Sequence, residues 1–174
     1  MSNDANTRSS TYFIAQGLQR CEHCGQLTPV LGLMLPAGHE TLAVETDEAP
    51  GTPADEIWES TDADATLFYI EYLSAAVQHR LRQFSVHFRH DYSETMDSSY
   101  WMNHCSFCSV QLGDFDLHCE PEGAFMPVSP DAAATIRVRE VLEPIEARAT
   151  GYAYATEFAE YMVREAGLTR SPAR

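Results

Sequence analysis

Cys21-Glu-His-Cys24 and Cys105-Ser-Phe-Cys108 are two Cys-x-x-Cys units in a chain that holds five cysteines. One such turn sets two sulfurs on one edge of a tetrahedron, and a tetrahedral zinc site closed by protein needs two edges. The pairs supply one edge each. Cys21, Cys24, Cys105 and Cys108 are therefore the expected ligands of one structural Zn²⁺, with Cys119 left over. The 80 residues between Cys24 and Cys105 exceed the span of a compact zinc finger, so the intervening segment reads as a large insertion in a two-knuckle, zinc-ribbon-like core. The ion would staple the first third of the chain to its middle. In isolated zinc-finger peptides such binding contributes on the order of 10 kcal/mol to folding. The competing readings are free buried thiols or a thiol–disulfide redox pair, but neither unit has a thioredoxin-like βαβ context. His23 and His104 adjoin the knuckles and could replace a cysteine, although the all-cysteine set is simpler.

A second cluster follows: Gly113-Asp114-Phe115-Asp116-Leu117-His118-Cys119. On a strand, Asp114, Asp116 and His118 share a face; on a helical turn, Asp114 and His118 are neighbours. Either arrangement could bind a second metal or hold a general base, which makes Asp114 and His118 the candidate catalytic residues. The plainer reading has them hydrogen-bonded beneath the knuckle. Cys119 reads as a small buried apolar residue, because a reactive thiol needs basic surroundings. His79, His87 and His90 interleave with Arg80, Arg82 and Arg89 in the one basic stretch, fit to receive an anion or to neutralise acids within the chain.

Acids dominate elsewhere. The formal charge is −15, from 26 acids against 11 bases, and every base is arginine. Glu40 to Asp64 carries nine acids, and no base lies between Arg20 and Arg80. Such a surface repels phosphate backbones, so direct nucleic-acid binding is disfavoured despite the finger-like cysteines. A basic protein partner, mimicry of nucleic acid, or solubility alone fits the charge. No apolar run approaches the roughly 18 residues that cross a bilayer, and the polar N-terminus has no secretory h-region. The expectation is a cytoplasmic protein with no membrane contact.

Elements that position the cysteines can be read on either side of them. Tyr12–Gln19 and Leu27–Leu35 read as strands flanking the first knuckle, with Gly25 easing its turn. Thr41–Glu45 reads as a short strand and Asp47–Asp64, rich in Pro, Gly and acid, as a solvated loop. Thr66–Leu73 has the β-branched and aromatic content of a strand; Ser74 then caps a helix to about Phe84 with Val77, Leu81 and Phe84 inward. Val86–Tyr92, the Tyr100–Asn103 approach to the second knuckle, Ile136–Leu142 and Ala147–Tyr154 complete the strands. Thr156 caps an expected final helix with Phe158, Ala159 and Met162 inward, stopped by Gly167. The fold class is α+β: a mainly antiparallel sheet, a zinc-ribbon-like core and two helices. Residues 1–10 read as disordered, 11–167 as one domain and 168–174 as a flexible tail.

Trp101-Met102-Asn103-His104-Cys105-x-x-Cys108, then Gln111-Leu112-Gly113-Asp114-x-x-Leu117-His118 and Glu120-Pro121-Glu122-Gly123-Ala124-Phe125, resembles a family of uncharacterised bacterial proteins with paired Cys-x-x-Cys knuckles and a Gly-Asp-x-x-Leu-His motif. Cys21-x-x-Cys24 with Thr28-x-Val30 resembles that family's first knuckle. The resemblance implies metal binding by the four cysteines and a bacterial or phage origin, and no known reaction. Asp116 and Cys119 stand where an aromatic and a polar residue are expected. The functional expectation is a zinc-stabilised, non-enzymatic binding or adapter protein working through its acidic surface. The alternatives are a metal-dependent enzyme using Asp114 and His118, and an acidic mimic that blocks a basic groove.

Overall fold

Leu27–Leu35 is apolar at nearly every position because both of its faces are buried. Leu31, Leu33 and Leu35 pack with Tyr12, Ile14, Leu67 and Leu81 on one face; Val30 and Met34 pack with Leu117, Phe125 and Ile136 on the other. This is the period-two consequence of a strand at the centre of the molecule. In the computed structural model, residues 5–45, 55–154 and 158–169 are described.

The described strands are β1 (Thr7–Ser9), β2 (Tyr12–Arg20), β3 (Leu27–Leu35), β4 (Glu40–Glu45), β5 (Asp55–Ser60), β6 (Ala65–Leu73), β7 (Phe88–Ser93), β8 (Ser98–His104), β9 (Gln111–Leu112), β10 (Arg137–Val141), β11 (Ile145–Tyr154) and β12 (Val163–Leu168). The helices are α1 (Ala75–Arg82), α2 (Asp114–His118) and α3 (Pro130–Ala133), with a 3-10 turn at Ala159–Tyr161. The fold is thus mixed α+β, mostly strand. Its curled sheet runs β12-β10-β2-β3-β6-β11-β1-β4-β5, and β8, flanked by β7 and β9, branches from β6. Every pairing is antiparallel except β10 with β12.

α1 closes the first core through Val77 and Leu81. Ser74 holds its N-cap position, although its side chain makes no capping hydrogen bond. Arg80 of this helix is buried against Glu143 and also donates to Thr169 O at 3.2 Å, tying the helix to the end of the sheet. The segment around α2 closes the second core. There Gly32 lets the chain approach closely: a Cβ would lie 3.2 Å from the Phe125 ring, tighter than most Cβ contacts, so that ring would have to shift.

Four expectations are corrected. The final helix is absent among the described residues: a single 3-10 turn is followed by β12, with Gly167 inside that strand. Thr156, its expected cap, lies outside the described residues. The segment Val163–Leu168 takes its conformation from the open edge of β10, where Arg139 pairs with Glu165 and Arg137 lies 3.6 Å from it. Within the N-terminal ten residues, expected to be disordered, Thr7–Ser9 pairs with both β11 and β4; residues 1–4 lie outside the described residues. The expected loop Asp47–Asp64 contributes a strand, β5, paired with β4; residues 46–54 lie outside the described residues. Leu168, expected in the tail, ends β12, and residues beyond Thr169 are likewise outside. No helix among the described residues is long and apolar enough to cross a membrane.

Candidate metal centre

The first knuckle is the turn between β2 and β3. Cys21 N–H donates to Gln26 O at 2.9 Å and Gly25 N–H to Cys21 O at 2.7 Å, with Gly25 at φ +73°. The second knuckle, between β8 and β9, repeats the pattern: Cys105 N–H to Val110 O and Ser109 N–H to Cys105 O, both 2.9 Å, with Ser109 at φ +62°. A left-handed residue four positions after the first cysteine reverses each turn so that both sulfurs face one point. Glycine adopts it freely, and serine does so at some strain.

Asn103, two residues before Cys105, fixes the knuckles relative to each other. Its carboxamide bonds both the N–H and the C=O of Leu31, so β8 is stitched to β3. Thr28 adds a direct bridge: its hydroxyl accepts Ser106 N–H at 2.9 Å and lies 3.0 Å from Ser106 Oγ. Both knuckles thereby meet. Cys21 Sγ lies 3.7 Å from Cys108 Sγ and Cys24 Sγ 3.6 Å from Cys105 Sγ, and all four sulfurs fall within 4.8 Å of one another. Tetrahedral Zn–S bonds of about 2.3 Å place sulfurs about 3.8 Å apart. The donor set and its edges fit a tetrahedral thiophilic ion, so the four cysteines cluster closely enough to bind a metal. Both of these close edges join sulfurs of different knuckles, so such an ion would be shared between them rather than belong to one turn.

The electrostatics of the bare sulfurs show what a cation would change. Burial opposes ionisation of Cys105, but the N–H groups of Cys108 and Phe107 and the neighbouring thiols outweigh it, drawing Cys105 down to about 6. At Cys108 the Val110 N–H favours the thiolate, yet burial and the sulfurs of Cys105, Cys21 and Cys24 push it up to about 12. Cys24 is raised as well: the Gln26 N–H lowers it, while burial and its sulfur neighbours prevail. Four thiolates this close repel one another, and a central dication removes that conflict.

His104 is not aimed at the sulfurs. Its Nε2 lies 2.9 Å from Asp91 Oδ2 and its Nδ1 3.2 Å from His87 O. That hydrogen bond, joined by those from Gln111 and Tyr92 N–H, draws Asp91 down to about 2. His23 is exposed and lines a shallow cleft beside the first knuckle.

Asp114 and His118 occupy one turn of α2 but face different surroundings. His118 is 4% exposed, stacked between Phe68 (ring centroids 5.4 Å apart) and Phe125 (5.0 Å). Among the described residues its Nδ1 has no hydrogen-bond partner, and burial depresses its pKa to about 3, so the ring stays neutral. Asp114 is 3% exposed; its Oδ2 accepts Tyr69 N–H at 2.7 Å, and burial pushes its carboxyl up to about 7. Tyr69, at φ +50°, is where β6 turns from pairing with β3, up to Leu67, to pairing with β8 at Ile70. Asp116 is exposed, and Cys119 is half-buried with its thiol pushed up by burial and by Asp114 and Glu120. Among the described residues only the four cysteines form a group of three or more potential ligands about one point, so Asp114, Asp116 and His118 do not converge as a second metal site.

In the basic stretch, Arg80 is buried with Glu143, whereas Arg82, Arg89 and His90 line an open cleft beside Trp101. Sequence reasoning gave no role to Thr28, Asn103 or Tyr69. The first two are polar residues in strand-like runs, and that is the signal that could have found them; the left-handed Tyr69 carries no local signal at all. Neither a family model, nor a curated protein, nor a solved structure matches this chain.

Proposed function

We propose that this chain is a zinc-stabilised binding protein whose acidic surface engages a protein partner of opposite charge. The observation that carries the proposal is the convergence of four cysteine sulfurs from two distant knuckles. With all four positions filled by protein, zinc would have no open site for substrate, which is the mark of a structural ion. Cys21, Cys24, Cys105 and Cys108 would hold it, and its chemistry would be to neutralise thiolates and to brace the two strand pairs as a ribbon-like core. Its loss would loosen β3 from β8, the strands at the centre of both cores.

The charge of −15 supports the partner's sign: association with a basic surface is accelerated by long-range attraction and weakened by salt. The metal-dependent enzyme receives less support, because His118 lies sealed between two phenyl rings. The test is affinity capture from the host with the wild type and with a variant whose acids between Glu45 and Asp64 are changed to Asn and Gln. A partner held by the first in a salt-sensitive manner and lost by the second supports the reading. An unchanged set of partners removes the acidic surface from it.

A further inference from the structure

Asp114 presents a carboxyl that is almost wholly buried, yet among the described residues the Tyr69 N–H is the one hydrogen bond it receives, and that bond occupies Oδ2 alone. Asp114 is one of the residues that line a cleft of about 530 Å³ between β6, β8 and α2. That volume lies within the range of small-ligand sites. None of the described residues lining the cleft is basic. A buried carboxylate without a cation is costly in a folded protein, and such groups concentrate where a ligand completes them.

The walls say what kind of cation fits. Tyr69 and Tyr100 meet edge to face, ring centroids 5.3 Å apart, and Met102 lies with them deep in the cleft. Phe115, 52% exposed, and Met96, 44% exposed, stand at its mouth, with Asp116 beside them as a second negative charge. Aromatic faces and thioethers accept a cation on an apolar stem. A guanidinium binds best to two carboxylate oxygens at once, and here Oδ2 already accepts Tyr69 N–H, which leaves Oδ1 the less encumbered of the two. A divalent metal needs several oxygen ligands, and no group of three potential ligands gathers at this cleft among the described residues. An ammonium needs one oxygen and a lipophilic channel.

We propose that the Asp114 cleft binds an alkylammonium group, the head of a free primary amine or of a lysine side chain, with the aromatic walls on its stem. The inference goes beyond the acidic-surface reading and does not depend on it, since a free amine can fill the cleft whether or not a protein partner is recruited. In the folded chain burial raises the carboxyl, and an ammonium beside it would restore the ionised form.

Calorimetric titration of the zinc-loaded full chain tests this with n-butylamine, Nα-acetyl-lysine methylamide, its Nε-acetylated counterpart and n-butanol. The amines are expected to bind saturably, and the two uncharged probes about tenfold more weakly or not at all, as loss of a charge-assisted hydrogen bond dictates. Asp114→Asn should weaken the amines by a similar factor. Phe115→Ala, a change at an exposed position, should weaken them severalfold, and it keeps the test decisive if the first variant does not fold. Tighter binding of the lysine derivative than of butylamine assigns the site to a polypeptide; the reverse assigns it to a free amine. Equal binding of butylamine and butanol, undiminished amine binding by Asp114→Asn, or no saturable binding of either amine overturns the proposal.

Discussion

The carboxamide of Asn103 brackets the backbone of Leu31: Oδ1 accepts Leu31 N–H and Nδ2 donates to Leu31 O, both at 2.8 Å. Both residues are buried, and each lies a few positions from a knuckle, so this side chain, together with the Thr28–Ser106 bridge, holds the two halves of the cysteine cluster in place. Asn103→Ala would leave a buried donor and a buried acceptor unpaired, a loss of about 2–4 kcal/mol. Urea denaturation of the zinc-loaded protein measures it. The variant should also surrender zinc to a chelator faster than the wild type does, because β8 is no longer pinned to β3. Asn103→Asp should not rescue it, since the carboxylate keeps the acceptor but loses the donor to Leu31 O.

Asp114 gives a pH signature of definite sign. Its folded pKa of about 7 stands above the ordinary value of 3.8, so between those values the folded chain keeps a proton that the unfolded chain has released. Stability from this group is therefore present in acid, falls as pH rises toward 7 and is flat above it. Asp114→Asn retains an acceptor for Tyr69 N–H and has no such slope. Relative to the wild type it should gain stability from pH 4 to 7, by at most about 4 kcal/mol. The difference between the two proteins in chemical denaturation across that range checks it, with the cysteine cluster common to both.

Much of this arrangement was legible in the chain. The cysteine pairs announced themselves by spacing, and Leu27–Leu35 and Thr66–Leu73 by their largely apolar, aromatic and β-branched content. α1 appeared where Ser74 precedes Val77 and Leu81. The C-terminal segment misled because Val-Arg-Glu-Ala-Gly-Leu has no strand-like composition, and its partner β10 alone makes it a strand. Thr7–Ser9 is equally silent, being three polar residues held between two other strands. Asp114 and His118 stood out by type, but which of them meets a cleft and which meets two phenyl rings depends on Phe68 and Phe125, which lie far from each other in the sequence.

Gly123 and Gly25 should respond differently to alanine. A Cβ on Gly123 would lie 2.2 Å from Asp116 O and 2.9 Å from Leu117 O, both backbone atoms that cannot turn aside. Gly123→Ala should therefore cost about 3 kcal/mol or more, by displacing α2 and with it Asp114. Gly25 meets nothing within 4 Å, so Gly25→Ala bears only its left-handed φ of +73°, about 1 kcal/mol. Thermal unfolding of both variants separates the two mechanisms.

Glu143 balances the buried guanidinium of Arg80. Glu143→Gln keeps the shape and removes the negative charge from this buried pair. A loss of about 3–5 kcal/mol is expected in thermal or chemical denaturation, with the zinc content unchanged because α1 lies in the other core.

Metal content tests the central claim most directly. The purified full chain should hold one zinc per molecule by native mass spectrometry, and Cys105→Ser should hold none under the same conditions and melt at a markedly lower temperature. A wild-type chain that carries no metal, and that stays folded with the same melting temperature in the presence of a strong chelator, would contradict the account.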